Sequence, residues 1–297
     1  MLNMSKKITA VIVGRNDDYS GDLDSRAVPA LSSMLEEFDE VIYVDFNSQE
    51  KSYLELIRDT IPSTKRFKHI LVTPADVKKL DVSESFQQNW LNKFNESWAR
   101  NIGIRRATHD YVVSTNIDII CKRPEDEAFD DNILYTAARR DVPIEVYKQI
   151  PQESLKEILL HNTEKFPAKP RVLDEEGNPI WDENDLWSVV VCCGDFQLAH
   201  KNVWEKIRGF EERDTEGEPT GRAYLDTNIM KKAKLSGFGI DKIDIDIFHL
   251  NHNTPKYINT ENTTKRNSQK EFVQDFETTS NDESWGHINH TFSEEII

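Results

Sequence analysis

Cysteine is scarce: three among 297 residues, Cys121 and the neighbours Cys192 and Cys193. An odd count with two adjacent members speaks against a disulfide framework, and a reducing compartment is expected. The cysteines read as small buried hydrophobes, and no His/Cys spacing matches a zinc site. Dense Lys/Arg runs are missing too, and the net charge is −16. That argues against a nucleic-acid partner, which needs a basic footprint, and against docking on anionic lipid. A small anion stays open, because a bound metal or a local basic cluster inverts the field. No apolar run has membrane-spanning length, and Ile8 to Val13 is too short even for a signal h-region. The expectation is a cytoplasmic protein with no transmembrane segment, no internal repeat and no long low-complexity tract.

What is present is a strand–helix rhythm. Lys6 to Val13 reads as a buried strand ending in the polar turn Gly14-Arg15-Asn16-Asp17-Asp18. Arg26 to Phe38 carries Val28, Leu31, Met34, Leu35 and Phe38 at helical spacing, with Pro29 placed in the first turn. Glu40 to Phe46 and Phe67 to Val72 read as strands, with a helix over 53–61 stopped by Pro62. Phe94 to Ala107 reads as a helix in which Gly103 permits close packing on a sheet. Tyr111 to Ile120 is a β-branched run, the composition of a strand buried on both faces. This alternation implies βαβ units and a parallel sheet. Residues 125–185 are weakly patterned and read as an insertion or acceptor-side lobe. Strand character returns at Ser188 to Leu198, helices follow at His200 to Ile207 and Tyr224 to Leu235, and Asp241 to Leu250 reads as an antiparallel or edge strand. The tail from Asn253 is polar, a disordered tail or a lid, with Trp285 and Phe292 suggesting partial docking.

Asp118 lies at the far end of the Tyr111–Ile120 run, among Ile117, Ile119 and Ile120. A lone acid there is costly to bury unless it is paired or holds a cation, and open α/β sheets bind ligands beyond the carboxyl ends of their strands. A metal at the sheet rim is one reading; a turn Asp capping local backbone is the other. His249 and His252 read either as ligands or as satisfied structural histidines. Arg100 reads as a phosphate contact or a solvated helix charge, and Trp187 as a sugar-stacking ring or a core residue.

The order of these pieces resembles the GT-A glycosyltransferases that use nucleotide sugars, in particular glycosyltransferase family 2 and the β-1,4-galactosyltransferase and chondroitin-synthase type. The likeness rests on Asn101-Ile102-Gly103 before Asn116-Ile117-Asp118, then Cys193-Gly194-Asp195, Gly209-Phe210, Leu225-Asp226 and His249-Leu250-Asn251-His252. It spans roughly residues 6–120 and 187–255. It implies an α/β GT-A fold, a Rossmann-like three-layer sandwich with a mostly parallel sheet and a small antiparallel acceptor-side portion. The implied division is one domain over 1–255, with a nucleotide-sugar half at 1–122, the insertion at 123–186 and an acceptor and catalytic half at 187–255, before a tail at 256–297. Asp118 takes the place of the second acid of an Asp-x-Asp motif, with Asn116 replacing the first. Asp118 and His252, or His249, would hold Mn²⁺ or Mg²⁺. Asp226 would be the general base of an inverting transfer, with Leu225 where the family has Glu. Gly14, Arg15, Asn16, Asp17 and Asp45 would grip base and ribose, Arg100, Asn101 and Asn116 the rest of the donor, and Trp187 and Asp195 the acceptor. The implied partners are a nucleoside diphosphate sugar, UDP being the commonest base, and a glycan or glycoconjugate hydroxyl. A non-catalytic sugar-nucleotide binder and a retaining enzyme are the alternatives. A nucleotidyltransferase would need a fuller Gly-rich loop than Gly14-Arg15-Asn16.

Overall fold

The computed structural model describes residues 6–16, 21–48, 52–61, 66–80, 95–125, 129–168, 194–212, 225–252 and 281–297. In chain order the elements are β1 (Ile8–Gly14), α1 (Asp24–Glu37), β2 (Glu40–Phe46), α2 (Tyr53–Ile57), β3 (Arg66–Val72), α3 (Pro74–Lys79), α4 (Glu96–Arg105), β4 (Tyr111–Asn116) and β5 (Ile119–Cys121). There follow β6 (Ile133–Val142), α5 (Ile144–Tyr147), α6 (Leu155–His161), β7 (Phe196–His200), α7 (Lys201–Ile207), α8 (Leu225–Leu235), β8 (Gly239–Leu250) and β9 (Ser293–Ile296). No helix among the described residues is long and apolar enough to cross a membrane.

The nine strands form one sheet in the order β5-β8-β6-β7-β4-β1-β2-β3-β9. β3, β2, β1 and β4 run parallel, β7 runs against them, and β6 and β8 return to the common direction. β9 and β5 lie antiparallel at the two edges. Alternation along β1 sorts its side chains between two cores. Ala10 and Ile12 join Leu31, Met34 and Tyr53 of α1 and α2, while Val11 and Val13 join Trp98 and Ile102 of α4, Trp204 of α7 and Met230 of α8. Helices therefore cover both faces, which is why β1 and β2 are buried along their whole length. A third core, with Tyr147, Leu155 and Leu159 against Phe248 and Leu250, braces the far end of β8.

Four expectations need correction. The run at 111–120 is not one strand: β4 ends at Asn116, Ile117 and Asp118 turn, and β5 pairs with β8. The turn is locked where the Leu250 N–H donates to the Asp118 carbonyl at 3.0 Å. The stretch at 125–185 is not merely an insertion, because β6 sits inside the sheet between β8 and β7. Its apolar start was masked by Arg139, Arg140 and Asp141, which lie at its carboxyl end. β8 is antiparallel to β5, as expected, but is not an edge strand; it lies between β5 and β6 and runs parallel to β6. Pro29 falls inside α1 rather than in its first turn, since the helix starts at Asp24. The polar tail also ends in structure. Trp285 and Phe292 are buried, β9 pairs with β3, and Arg106 donates to the carbonyls of Gly286, His287 and His290. Asp17, Trp187, Cys192, Cys193 and residues 188–193 of the expected strand lie outside the described residues.

Gly103 has the close approach expected of it. A Cβ there would stand 2.4 Å from Val11 Cγ1 and 3.1 Å from Val44 Cγ2. Gly103→Ala is therefore expected to destabilise the protein by about 1–3 kcal/mol, outweighing the roughly 1 kcal/mol that alanine adds to helix propensity. Urea denaturation read by far-ultraviolet circular dichroism measures the change.

Candidate metal centre and adjoining cavity

The carboxyl ends of β1, β2, β4, β6 and β8 line one edge of the sheet, together with the start of β7. Asp118 sits there, in the turn after β4, 6% exposed. The β5–β8 ladder sets Ile119 opposite His249, and His252 follows two residues past the end of β8. His249 Nε2 stands 3.7 Å and His252 Nε2 3.6 Å from Asp118 Oδ2. One donor atom from each of the three residues fits within a 4.8 Å span. Two ligands of one ion at metal–nitrogen distances of about 2.1 Å stand roughly 3 to 3.5 Å apart. A contraction of a few tenths of an ångström brings each imidazole to that spacing from Asp118.

The chemistry of the donor set narrows the ion. One carboxylate and two imidazoles suit Mn²⁺, Fe²⁺ or Zn²⁺, whereas Mg²⁺ prefers oxygen ligands throughout. The ring of His249 is oriented from behind: its Nδ1 lies 3.1 Å from Asp141 Oδ1 and 3.1 Å from Asn251 Oδ1. A carboxylate holding the Nδ1 proton turns Nε2 toward Asp118, the support that metal-bound histidines commonly have. Burial alone would lower the His249 pKa, but Asp118, Asp141 and Asp195 together hold it above the ordinary imidazole value.

Beside this centre lies a cavity of about 190 Å³ whose walls include Asn116, Gly194, Asp195, Gln197, Phe210 and Asp226. Asp226 is in the first turn of α8. Its carboxylate lies against Gly194, where an added Cβ would be 2.5 Å from Asp226 Oδ2. Gln197 is fully buried on β7, and its Oε1 has no hydrogen-bond partner among the described residues. A buried acceptor of this kind is suited to a donor from a ligand.

Asn116 explains itself locally. Its Nδ2 donates to Asp195 Oδ1 at 2.8 Å and its Oδ1 accepts from Arg100. An aspartate here would set two carboxylates in contact, whereas an amide can donate to one. Arg100 also lines the cavity and is not a solvated charge. It is 2% exposed, donates to Glu96 Oε1 at 2.6 Å and Ser114 Oγ at 2.6 Å, and stacks over Phe210 at 5.3 Å. Asn101 is likewise turned inward. Its Nδ2 donates to Phe210 O and Glu212 Oε1, both at 2.8 Å, while its Oδ1 accepts from Phe210 N at 2.7 Å. Its donors are spent fastening α4 to the 209–212 segment, so it has none for a sugar donor. Lys122 is exposed.

The residues after β1 and β2 form a second polar group. The Asn16 N–H donates to Ser48 Oγ at 2.9 Å, Tyr53 donates to Asn16 Oδ1 at 3.2 Å, and Ser48 donates to Asp45. His69 Nε2 lies 3.4 Å from Asp45 Oδ2. Gly14 packs on Ile117, and Arg15 is buried nearby. Arg139, Asp141, Gln197 and Glu96 escaped the sequence reading. Charged residues closing the apolar run of β6 were the available signal for the first two; none existed for Gln197.

No family model matches the chain, and no curated protein does. Among solved structures it is similar to TarS 1–349 of S. aureus in complex with UDP-GlcNAc, at 14% identity and a TM-score of 0.48, over 83% of this chain and 59% of that one. A second structure of S. aureus TarS 1–349 gives 14% identity and a TM-score of 0.44, over 82% and 60%. The chain thus spans about three-fifths of the length of those solved chains.

Mn²⁺ is expected to raise the melting temperature, by an increment that grows between about pH 6 and pH 8. A cation needs neutral imidazoles, and the raised His249 pKa moves proton competition into that window. Without cation the sign reverses: charged His249 stabilises the fold at low pH, and this contribution is lost as pH rises through its raised value. Differential scanning fluorimetry with and without Mn²⁺ reads both trends. An increment independent of pH would remove His249 from the donor set.

Proposed function

We propose that the protein is a metal-assisted glycosyltransferase of the GT-A type, moving a sugar from a nucleoside diphosphate to a hydroxyl of a glycan or glycoconjugate. The observation that carries this reading is the meeting of Asp118, His249 and His252 at the carboxyl edge of the sheet, beside a cavity that holds a further acid, Asp226. Asp118, His249 and His252 would hold the cation, with Mn²⁺ preferred to Mg²⁺ by the two imidazoles. A divalent ion bound there supplies charge neutralisation for a leaving diphosphate.

The remaining roles fall to the chain itself. Asp226 is the general base: as the acceptor oxygen bonds to the anomeric carbon and the bond to the diphosphate breaks, the hydroxyl proton passes to the Asp226 carboxylate. A single base facing away from the leaving group implies inversion. Gly194 lets that carboxylate lie against the backbone, and a side chain there would push the carboxylate aside. Gln197 Oε1 and Asp195, both in the cavity wall, accept from sugar hydroxyls. Asn16 and Asp45, at the ends of β1 and β2, serve the nucleoside side, and a uridine nucleotide is the first base to test. Arg100 acts through Asn116 rather than on phosphate. Glycan or polysaccharide assembly, in the cytoplasm, is the setting this reading implies.

Asp226→Asn is expected to lower turnover by about 100- to 10,000-fold while leaving Mn²⁺ binding intact. Release of nucleoside diphosphate from a panel of UDP-sugars, with Mn²⁺ and an oligosaccharide acceptor, is the assay. Unchanged turnover would eliminate Asp226 as the base, and an anomer-resolved product spectrum showing retention would end the inverting reading.

A further inference from the structure

Arg139 stands where two groups of acids meet. Its Nε lies 3.0 Å from Asp141 Oδ1, and its Nη1 donates to Asp195 Oδ2 at 3.0 Å. Asp141 Oδ1 also faces His249 Nδ1 at 3.1 Å, and Asp195 Oδ1 accepts from Asn116 Nδ2 at 2.8 Å. One polar chain therefore runs from His249 in the cation site, through Asp141, Arg139 and Asp195, to Asn116 in the cavity wall. The backbone is built for this. β6 pairs Ala137 with Ile243 but Arg139 with Ile247, an irregularity in the ladder at this point. Bulges of this kind re-aim side chains and recur next to functional sites.

We infer that Arg139 is a positioning residue that couples the cation site to the cavity, its one guanidinium divided between Asp141 behind His249 and Asp195 beside Asn116. The inference rests on the cation assignment made above but not on glycosyl transfer. Its electrostatics have a definite sign. Arg139 is a positive charge close to a site for a dication, so it weakens cation binding. It already opposes positive charge on His249, and in return Asp195, Asp141 and Asp118 hold its own guanidinium above the usual arginine range despite burial. A dication at Asp118 would push the guanidinium toward Asp195, tightening the arm that holds Asn116. Conversely, any loss of the Asp195 partner throws the full charge of Arg139 back onto Asp141 and the cation site.

The test is a double-mutant cycle on the full chain, with Mn²⁺ alone as probe and free Mn²⁺ counted by electron paramagnetic resonance. R139Q is expected to bind Mn²⁺ roughly three- to tenfold more tightly than wild type. D195N is expected to weaken binding by a similar factor in wild type and by a clearly smaller one in the R139Q background, where only the direct loss of the Asp195 charge remains. A residue that merely holds the fold together would weaken binding when replaced and would show no such dependence. R139K keeps the charge but not the fork. It is expected to bind Mn²⁺ within about twofold of wild type and to show the same loss of coupling to Asp195. Should R139Q not fold, that variant carries the cycle alone. Weaker or unchanged Mn²⁺ binding in R139Q, or an undiminished D195N effect in either background, overturns the inference. Absence of Mn²⁺ binding by wild type overturns it together with the cation assignment. Mn²⁺ binding and coupling without sugar transfer would count against the proposed function alone.

Discussion

The structure turns on the placement of one carboxylate. Asp118 is buried at the end of a sheet whose interior is apolar, and a charge there needs a partner. Its partners come from 131 and 134 positions further along the chain, so much of the fold can be read as the means of bringing them. β8 is long enough to reach the carboxyl edge, β5 fixes its register at Ile119 and His249, and the bond from Leu250 N to the Asp118 carbonyl closes the turn. Tyr147 secures the approach to His252 by donating to the Asn251 carbonyl at 3.1 Å. Without that alignment the imidazoles would stand near the acid without facing it.

The same edge gathers charge of one sign. Asp118, Asp141, Asp195 and Asp226 come from a turn, the end of β6, the start of β7 and the start of α8 respectively. Such a concentration destabilises an empty site, and Arg139 and Arg100 offset part of it from the rear, while the amide of Asn116 relieves it at the point of closest approach. An amide at position 116 thus suits the local electrostatics set by Asp195, and the acid at 118 has two imidazoles as its neighbours.

Much of this was legible in the residues. β1, β2 and β3 announced themselves as apolar runs, and α4 as a helix on which Gly103 lies against Val11. Asp118, His249 and His252 could be singled out, since an acid in a β-branched run and a histidine pair after an Ile/Asp alternation are both unusual. What could not be read were relations of register. Nothing in Ile133–Val142 shows that it lies between β8 and β7, and an arginine aimed by a bulge looks like any surface arginine. The surroundings of Asn101 and Arg100 were hidden for a related reason. Polar residues on a helix suggest a ligand or solvent, whereas these two face the 209–212 segment and the end of β4, which only folding brings beside them.

β9 has a different kind of consequence. It supplies the outer neighbour of β3, and the Trp285 segment covers α4, yet both lie far along the chain from the elements they cover. On the ribosome, β1 to β4 emerge long before those covers do. During translation the rim of β3 is an open row of backbone donors and acceptors, the kind of edge that invites pairing with a neighbouring nascent chain. The edge of β3 therefore stays open until β9 has been made and pairs with it.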